Sequence, residues 1–291
     1  MTEKLKYPFA TFLILLGVLL PLHLLSATPL LPPLNKTNSG EQLTGKFIWF
    51  DLATVDLKKQ KEFYGEVFGW TFQQLNQTDM QYTIIKDGEH NIAGMFQIKP
   101  PEGAKTGALW ISLMSVPDPD KAVEVVKNAG GSVHTPVTTL ADRGTYALLN
   151  DPEGALFGVL KSGSGDPPDN DIQTGEILWV DLFAKDMQRA ASFYQQVAGY
   201  EIIDNEKGRV HIFLHSAGKL RAGIVPRPEE ANHSGWLPYV KVNDVVSTLN
   251  KVTAAGGHVL VQPDKTLLNG NLAIFTDPEG GIIGIVKWDQ P

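Results

Sequence analysis

The residues of this chain best suited to chemistry are two aspartates, each two positions after a tryptophan: Trp49-x-Asp51 and Trp179-x-Asp181. In a strand, residues two apart share a face, so each indole is expected beside its carboxylate. The aromatic ring fills volume and offers a stacking face. A carboxylate in such partly apolar surroundings is desolvated, which raises its pKa and suits general acid or base work. The plainer reading is structural, with each Asp capping a backbone N–H or pairing with an arginine. Beyond the second pair, His211, Phe213 and His215 alternate on one strand face, and Arg221 follows. Arginine can grip an anion through two parallel hydrogen bonds. For His211 and His215 a solvated strand face is the alternative. The chain has no cysteine, which removes thiolate metal sites and cysteine nucleophiles. No Gly-rich phosphate loop or nucleophile elbow is present either.

These residues sit in a duplicated frame. Thr44-Gly45-x3-Trp49-x-Asp51-Leu52-x3-Asp56 and Phe63-Tyr64-x2-Val67-x-Gly69 return as Thr174-Gly175-x3-Trp179-x-Asp181-Leu182-x3-Asp186 and Phe193-Tyr194-x2-Val197-x-Gly199. Later, Trp110, Asp118, Gly130-Gly131 and Asp151-Pro152-Glu153-Gly154 return as Trp236, Asp244, Gly256-Gly257 and Asp277-Pro278-Glu279-Gly280. Such self-similarity means two copies of one domain. Phe47–Thr54 reads as a strand, with Phe50 and Leu52 on one face and Trp49, Asp51 and Ala53 on the other. Asp56 is a good N-cap and Gly69 a good stop for the helix that follows. Short strands come next, and the order β-α-β-β-β occurs twice in each half. The fold class is therefore α+β. The boundaries are a leader at 1–27, a Pro/Asn/Ser-rich tether at 28–44, a first domain at 45–162, a linker at 163–174 and a second domain at 175–289.

The net charge of −7 over 291 residues, with no basic cluster, argues against nucleic acid and against electrostatic docking on anionic lipid. The N-terminus differs from the rest. Lys4 and Lys6 precede the Leu-rich stretch Phe9 to Leu25, expected as an apolar helix, and Ser26-Ala27 follows as a cleavage site. The stretch reads equally as a cleaved signal or an uncleaved membrane anchor; either way the body is exported to the periplasm or the extracytoplasmic face of the membrane. A membrane contact arises only through this segment if it stays.

The duplicated strand–Asp–helix–Phe-Tyr-x2-Val-x-Gly openings, helix–Gly-Gly endings and Asp-Pro-Glu-Gly turns resemble the vicinal oxygen chelate superfamily of glyoxalases, bleomycin-resistance proteins and extradiol dioxygenases. The resemblance spans nearly everything from Gly45 to Trp288. It implies paired modules curled into two open barrels, each a cup whose floor holds the site, and it says nothing of catalysis by itself. Trp49, Asp51, Trp179 and Asp181 then face the cups, and Arg221 is expected to point into the second.

In that superfamily a divalent metal is held by His, Gln or Glu at defined strand positions, with several ligands converging at about 2.0–2.2 Å. Counting from the helix-opening Asp residues places Trp49, Ile111, Trp179 and Leu237 there; counting from the turns places Gly158 and Gly284; the remaining positions are Gly94 and Gly223. None can bind a metal, so the resemblance comes with no metal and no cofactor. A register slip of a residue or two is the one way a ligand would be hidden.

Three functions stay open: a binder of a small, partly aromatic molecule through Trp49, Asp51, Trp179, Asp181 and Arg221; a metal-independent lyase- or isomerase-type enzyme with Asp181 and His211 in proton transfer; and a scaffold whose cups are filled. The second half is favoured as the working one because it is more polar. A homodimer is compatible with all three.

Overall fold

The computed structural model describes residues 31–75, 81–99, 107–204, 211–229, 231 and 233–288. The leader at 1–27 lies outside them, and among the described residues no helix is long and apolar enough to cross a membrane.

The first domain runs β1 (Phe47–Thr54), α1 (Leu57–Phe68), β2 (Thr71–Leu75), β3 (Tyr82–Asp87), β4 (His90–Gln97), β5 (Leu109–Ser115), α2 (Pro119–Asn128), β6 (Ser132–Leu140), β7 (Gly144–Asn150) and β8 (Leu156–Ser162). The second repeats this as β9 (Ile177–Ala184), α3 (Met187–Ala198), β10 (Glu201–Asp204), β11 (Ile212–Ser216), β12 (Lys219–Pro226), β13 (Gly235–Lys241), α4 (Val245–Ala254), β14 (His258–Val261), β15 (Leu272–Thr276) and β16 (Ile282–Val286). Each domain makes one eight-stranded sheet, ordered β2-β3-β4-β1-β5-β8-β7-β6 and β10-β11-β12-β9-β13-β16-β15-β14. The opening strands of the paired modules meet antiparallel at the centre, β1 on β5 and β9 on β13. All four helices start at the expected Asp, whose side chain accepts an N–H from the first turn, and α1 and α3 end on left-handed Gly69 and Gly199.

Strand alternation separates two environments. Phe50 and Leu52 join a continuous core with the helices, and that core spans both domains. Trp49 and Ala53 face the other way, into a smaller cluster within the first cup. The helices lie between the two sheets, α1 against α4 and α2 against α3.

The motifs that mark the repeat join the two domains to each other. Tyr64 of the first domain donates to Asp277 Oδ2 of the second at 2.9 Å, and Tyr194 of the second donates to Asp151 Oδ2 of the first at 3.2 Å. Trp110 Nε1 donates to the Tyr64 hydroxyl and Trp236 Nε1 to that of Tyr194, at 2.9 and 2.8 Å. The other oxygen of each Asp takes two amides of its own turn, from Glu153 and Ala155 or from Glu279 and Gly281. Each Asp-Pro-Glu-Gly turn is thus both a local turn and half of an interdomain bond. Phe47 packs on Trp236 with ring centroids 4.7 Å apart across the same boundary.

The described part of the stretch expected to be a tether, from residue 31, is held against the domain at both ends, with residues 36–42 exposed between. Leu31 is buried in the first cup. The Asn35 side chain donates to the carbonyls of Ser164, Gly165 and Asp166, and Leu43 N donates to Asp166. The Pro, Asn and Ser content that reads as loose chain instead serves a strap lying along the linker, whose carbonyls need donors wherever they are covered.

Replacing Tyr64 or Tyr194 with Phe leaves a buried carboxylate oxygen and a buried indole N–H without their partner. Each variant should lose about 1–3 kcal/mol per orphaned group in urea unfolding; unchanged stability in both would show that the interdomain bonds hold nothing. Burial lifts the Asp277 carboxyl above its usual value, while hydrogen bonds from the Gly281 and Glu279 amides and from Tyr64 pull it back. The folded chain therefore keeps this proton longer than the unfolded one, and stability declines as pH rises from the unfolded value through the folded one. Without Tyr64 the folded value climbs further, so the decline should extend to higher pH in unfolding curves of Tyr64→Phe.

Candidate functional site

The floor of the second cup is built around Asp181, on β9. Its neighbours across the sheet are Gly223 on β12 and Leu237 on β13, with Phe213 of β11 beyond the glycine. Gly223 carries no side chain, and the space a Cβ would need is taken by the His211 ring and the Asp181 carboxylate. Asp181 is 6% exposed. Trp179 Nε1 donates to its Oδ1 at 2.7 Å, and His211 Nε2 lies 3.2 Å from the same oxygen. The histidine is misaligned for a hydrogen bond but close enough for an ion pair once protonated. Tyr239 also reaches this carboxylate; burial first, then the Asp181 charge, pushes its hydroxyl well above the usual range. The His211 ring stacks on Phe213 with centroids 4.2 Å apart, and Phe213 meets Trp179 edge-on at 6.2 Å. Trp179, His211 and Phe213 all keep part of their surface exposed. This is a buried acceptor ringed by accessible aromatic faces, suited to a flat organic group that carries a donor.

The first cup has the same frame and a different filling. Asp51 pairs with Gly94 and Ile111 as Asp181 does with Gly223 and Leu237. Tyr82 stands where the second cup has His211, donating to Asp51 Oδ1 at 2.6 Å, and Trp49 Nε1 donates to the same oxygen at 3.0 Å. Desolvation raises the Asp51 carboxyl, against the pull of Tyr82, Arg143 and Trp49. The Arg143 guanidinium lies 4.0 Å over the Trp49 ring, a cation–π contact. Trp49 and Tyr82 are buried, at 5% and 2% exposure, and Leu31 of the strap closes over them. The first cup is therefore full.

The positions counted from the sequence as metal-ligand sites carry Trp, Ile, Leu and Gly. The helix-opening Asp residues are N-caps, and Trp49, Ile111, Trp179 and Leu237 lie seven residues before them on the opening strands. At Gly158 and Gly284 the Cβ space is taken by Leu113 and Tyr239, and at Gly94 by Tyr82 and Asp51. The space beside these positions holds Leu113, Tyr239, Tyr82 and, as groups of metal-donor type, Asp51 in the first cup and Asp181 with His211 in the second. Among the described residues no three of His, Asp or Glu converge.

Arg221 does not enter the second cup. The pairing of β11 with β12 slips between Leu214↔Ala222 and His215↔Leu220, which makes Arg221 the extra residue of a β-bulge. A bulge breaks the alternation on which the sequence expectation rests. Arg221 turns instead to the linker, with Nη1 2.7 Å from Asp169 Oδ1. Burial alone would raise Asp169; hydrogen bonds from Arg221 and Lys46 outweigh it and hold the carboxyl well below the usual range. His215 lies at the same bulge, opposite Leu220 and Glu201, rather than with His211.

Three participants were missed by the sequence reading. Tyr82 and Tyr239 resemble ordinary core residues, although Tyr82 is the counterpart of His211 in the repeat. Arg143 lies just before β7 with no motif around it; only a buried position for an arginine, visible in the structure, marks it out.

Comparison with known proteins agrees with this fold. The family model described as Glyoxalase/Bleomycin resistance protein/Dioxygenase superfamily matches residues 46–159 and 176–284. Among curated relatives, the "Putative glyoxylase CFP32" of Mycobacterium tuberculosis is 29% identical over 246 residues, covering 82% of this chain and 93% of its own. The "Anthracycline biosynthesis protein DauV" of Streptomyces sp. (strain C5) is 28% identical over 258 residues, covering 82% and 92%. In fold, the chain is similar to the Mn(II)-bound glyoxalase from Novosphingobium aromaticivorans, with a TM-score of 0.56 at 16% identity over 84% of this chain and 83% of that one. With two matched domains, each built of paired βαβββ modules, the chain belongs to the glyoxalase/bleomycin resistance protein/dioxygenase superfamily.

Proposed function

We propose that this protein is an exported, metal-independent binder of a small organic molecule, with the second cup as its site. The observation that carries this reading is the contrast between the cups. Around a buried Asp181, the rings of Trp179, His211 and Phe213 stay partly accessible, whereas Trp49 and Tyr82 around Asp51 are sealed by Leu31. A partly aromatic ligand would stack on Trp179 or Phe213 and donate a hydroxyl or ammonium hydrogen to Asp181. The relative named for anthracycline biosynthesis is in keeping with an organic ligand of this kind.

A second reading rests on the 3.2 Å approach of His211 to Asp181. A carboxylate and an imidazole on one cup floor are the parts needed to move a proton on a bound substrate, with Asp181 as base and His211 relaying the charge. In this reading Asp181→Asn abolishes turnover and leaves binding largely intact.

The binding reading is tested with a panel of hydroxylated aromatic and quinone compounds, followed by tryptophan fluorescence and thermal shift. A compound that binds should do so at least about tenfold more weakly to Trp179→Ala and to Asp181→Asn, a difference of about 1.4 kcal/mol. Binding that survives both substitutions would move the site elsewhere. Zn²⁺, Ni²⁺, Mn²⁺ and Fe²⁺ should leave the melting temperature unchanged, because a ligand that favours the native state raises it by mass action. A saturable rise that disappears in His211→Ala would restore a metal enzyme.

Export is supported by Lys4, Lys6 and the uncharged Phe9–Leu25 stretch. N-terminal sequencing of the protein from its host should find Thr28 at the start for a cleaved signal, or Met1 in the membrane fraction for an anchor. An intact N-terminus in the cytosolic fraction would refute both.

A further inference from the structure

We propose that the first cup is a second binding site, filled in this structure by the chain's own Leu31–Pro32 segment as an attached ligand, and suited to a small apolar acyl compound whose oxygen meets Arg143. The segment is seated as a ligand would be. The Leu31 side chain is 6% exposed and packs into the apolar cluster that holds Trp49, while the Pro32 carbonyl accepts from Arg143 Nε at 2.8 Å. An alkyl group in an apolar pocket and a carbonyl oxygen on a guanidinium are two separate recognition elements, and both are met by consecutive residues.

The receiving side belongs to the domain itself. Arg143 is 3% exposed, and its guanidinium is held over the Trp49 ring at 4.0 Å. Its Nε hydrogen bond goes to a peptide carbonyl of the strap, and a guanidinium carries five donors in a fork that suits carbonyl or carboxylate oxygen. Asp51, on the same floor, is already engaged by Tyr82 and Trp49, which leaves Arg143 as the group offered to an incoming oxygen.

The strap is also extra to the domain. The duplicated unit starts at Gly45 and again at Gly175. The residues lying as far before Gly175 as Leu31 lies before Gly45 belong to β8, so among the described residues the second cup has no counterpart of this strap. Asn35 is pinned to the Ser164, Gly165 and Asp166 carbonyls. That anchor lets residues 31–34 leave the cup while the rest of the strap stays in place. Occupancy by the tethered segment then competes with any free ligand, weakening its apparent affinity by the fraction of open cups.

The test uses the full chain and the acetylated, amidated peptide Leu-Pro-Pro-Leu-Asn, the sequence of residues 31–35, in calorimetric titration. Leu31→Asp, which expels the segment, should bind the peptide at least about tenfold more tightly than wild type. Adding Arg143→Lys to Leu31→Asp should weaken that binding again, because a lysine cannot reproduce the planar fork. Should Leu31→Asp fail to fold, Leu31→Ala gives the same comparison. Equal binding to wild type and the folded Leu31 variant, or none to either, would reduce the strap to a structural plug and overturn the proposal. This outcome is independent of whether the second cup binds its ligand.

Discussion

The structure depends on a reciprocal bond: each domain sends a tyrosine hydroxyl from its first helix to the turn aspartate of the other. Tyr64 reaches Asp277 and Tyr194 reaches Asp151, with Trp110 and Trp236 donating to the same hydroxyls. These groups are buried, so a missing partner would carry the full desolvation cost of a polar atom left alone. The exchange places the helices of both domains in one shared core and turns the concave faces of the sheets outward. Two outward-facing cups follow from that arrangement. Glu153 reinforces it by accepting the Lys185 and Asp186 amides at the start of α3, and Lys59 does so by pairing with Glu279 at 2.6 Å.

On this symmetric frame the cups have diverged through few residues. Tyr82 becomes His211 and Leu113 becomes Tyr239, so the carboxylate keeps its indole partner while its other neighbours change. Connectivity adds the larger difference. The chain before the first domain is free to fold back over its own cup, and the chain before the second domain is already the last strand of the first. Duplication thus yields one sealed cup and one accessible cup even though the sheets match strand for strand.

The linker shows how polar chain becomes structure. Asp169 gathers Lys46, Lys219 and Arg221 at 3.0, 3.4 and 2.7 Å, and Asp166 takes the Leu43 amide and the Ser115 hydroxyl. Read for composition, the segment carries little to bury. Its carboxylates are nonetheless the counter-charges for cations that the domain boundary partly buries, Lys46 and Arg221 above all.

Much of the frame is legible in the residues alone. Asp56, Asp118, Asp186 and Asp244 cap helices because an N-cap is a local interaction, and Gly69 and Gly199 end them because a left-handed residue favours glycine wherever it sits. Period-two alternation places Trp49 with Asp51 and Trp179 with Asp181, and the duplication itself announces two domains. Interactions between residues distant in sequence are another matter. That Tyr64 serves Asp277, that Leu31 plugs a cup and that Arg143 lies over Trp49 depend on which surfaces meet, and no local pattern encodes the meeting. Arg221 shows the limit most sharply. Alternation predicts its direction, yet one extra residue in the β11–β12 pairing turns it out of the cup, and that slip is visible only once both strands lie in the sheet. The sequence by itself determined the elements, their order and the Trp-x-Asp pair on each floor, since those follow from local geometry; only the tertiary structure decided the other floor residues and which cup is open, because both depend on what else packs there.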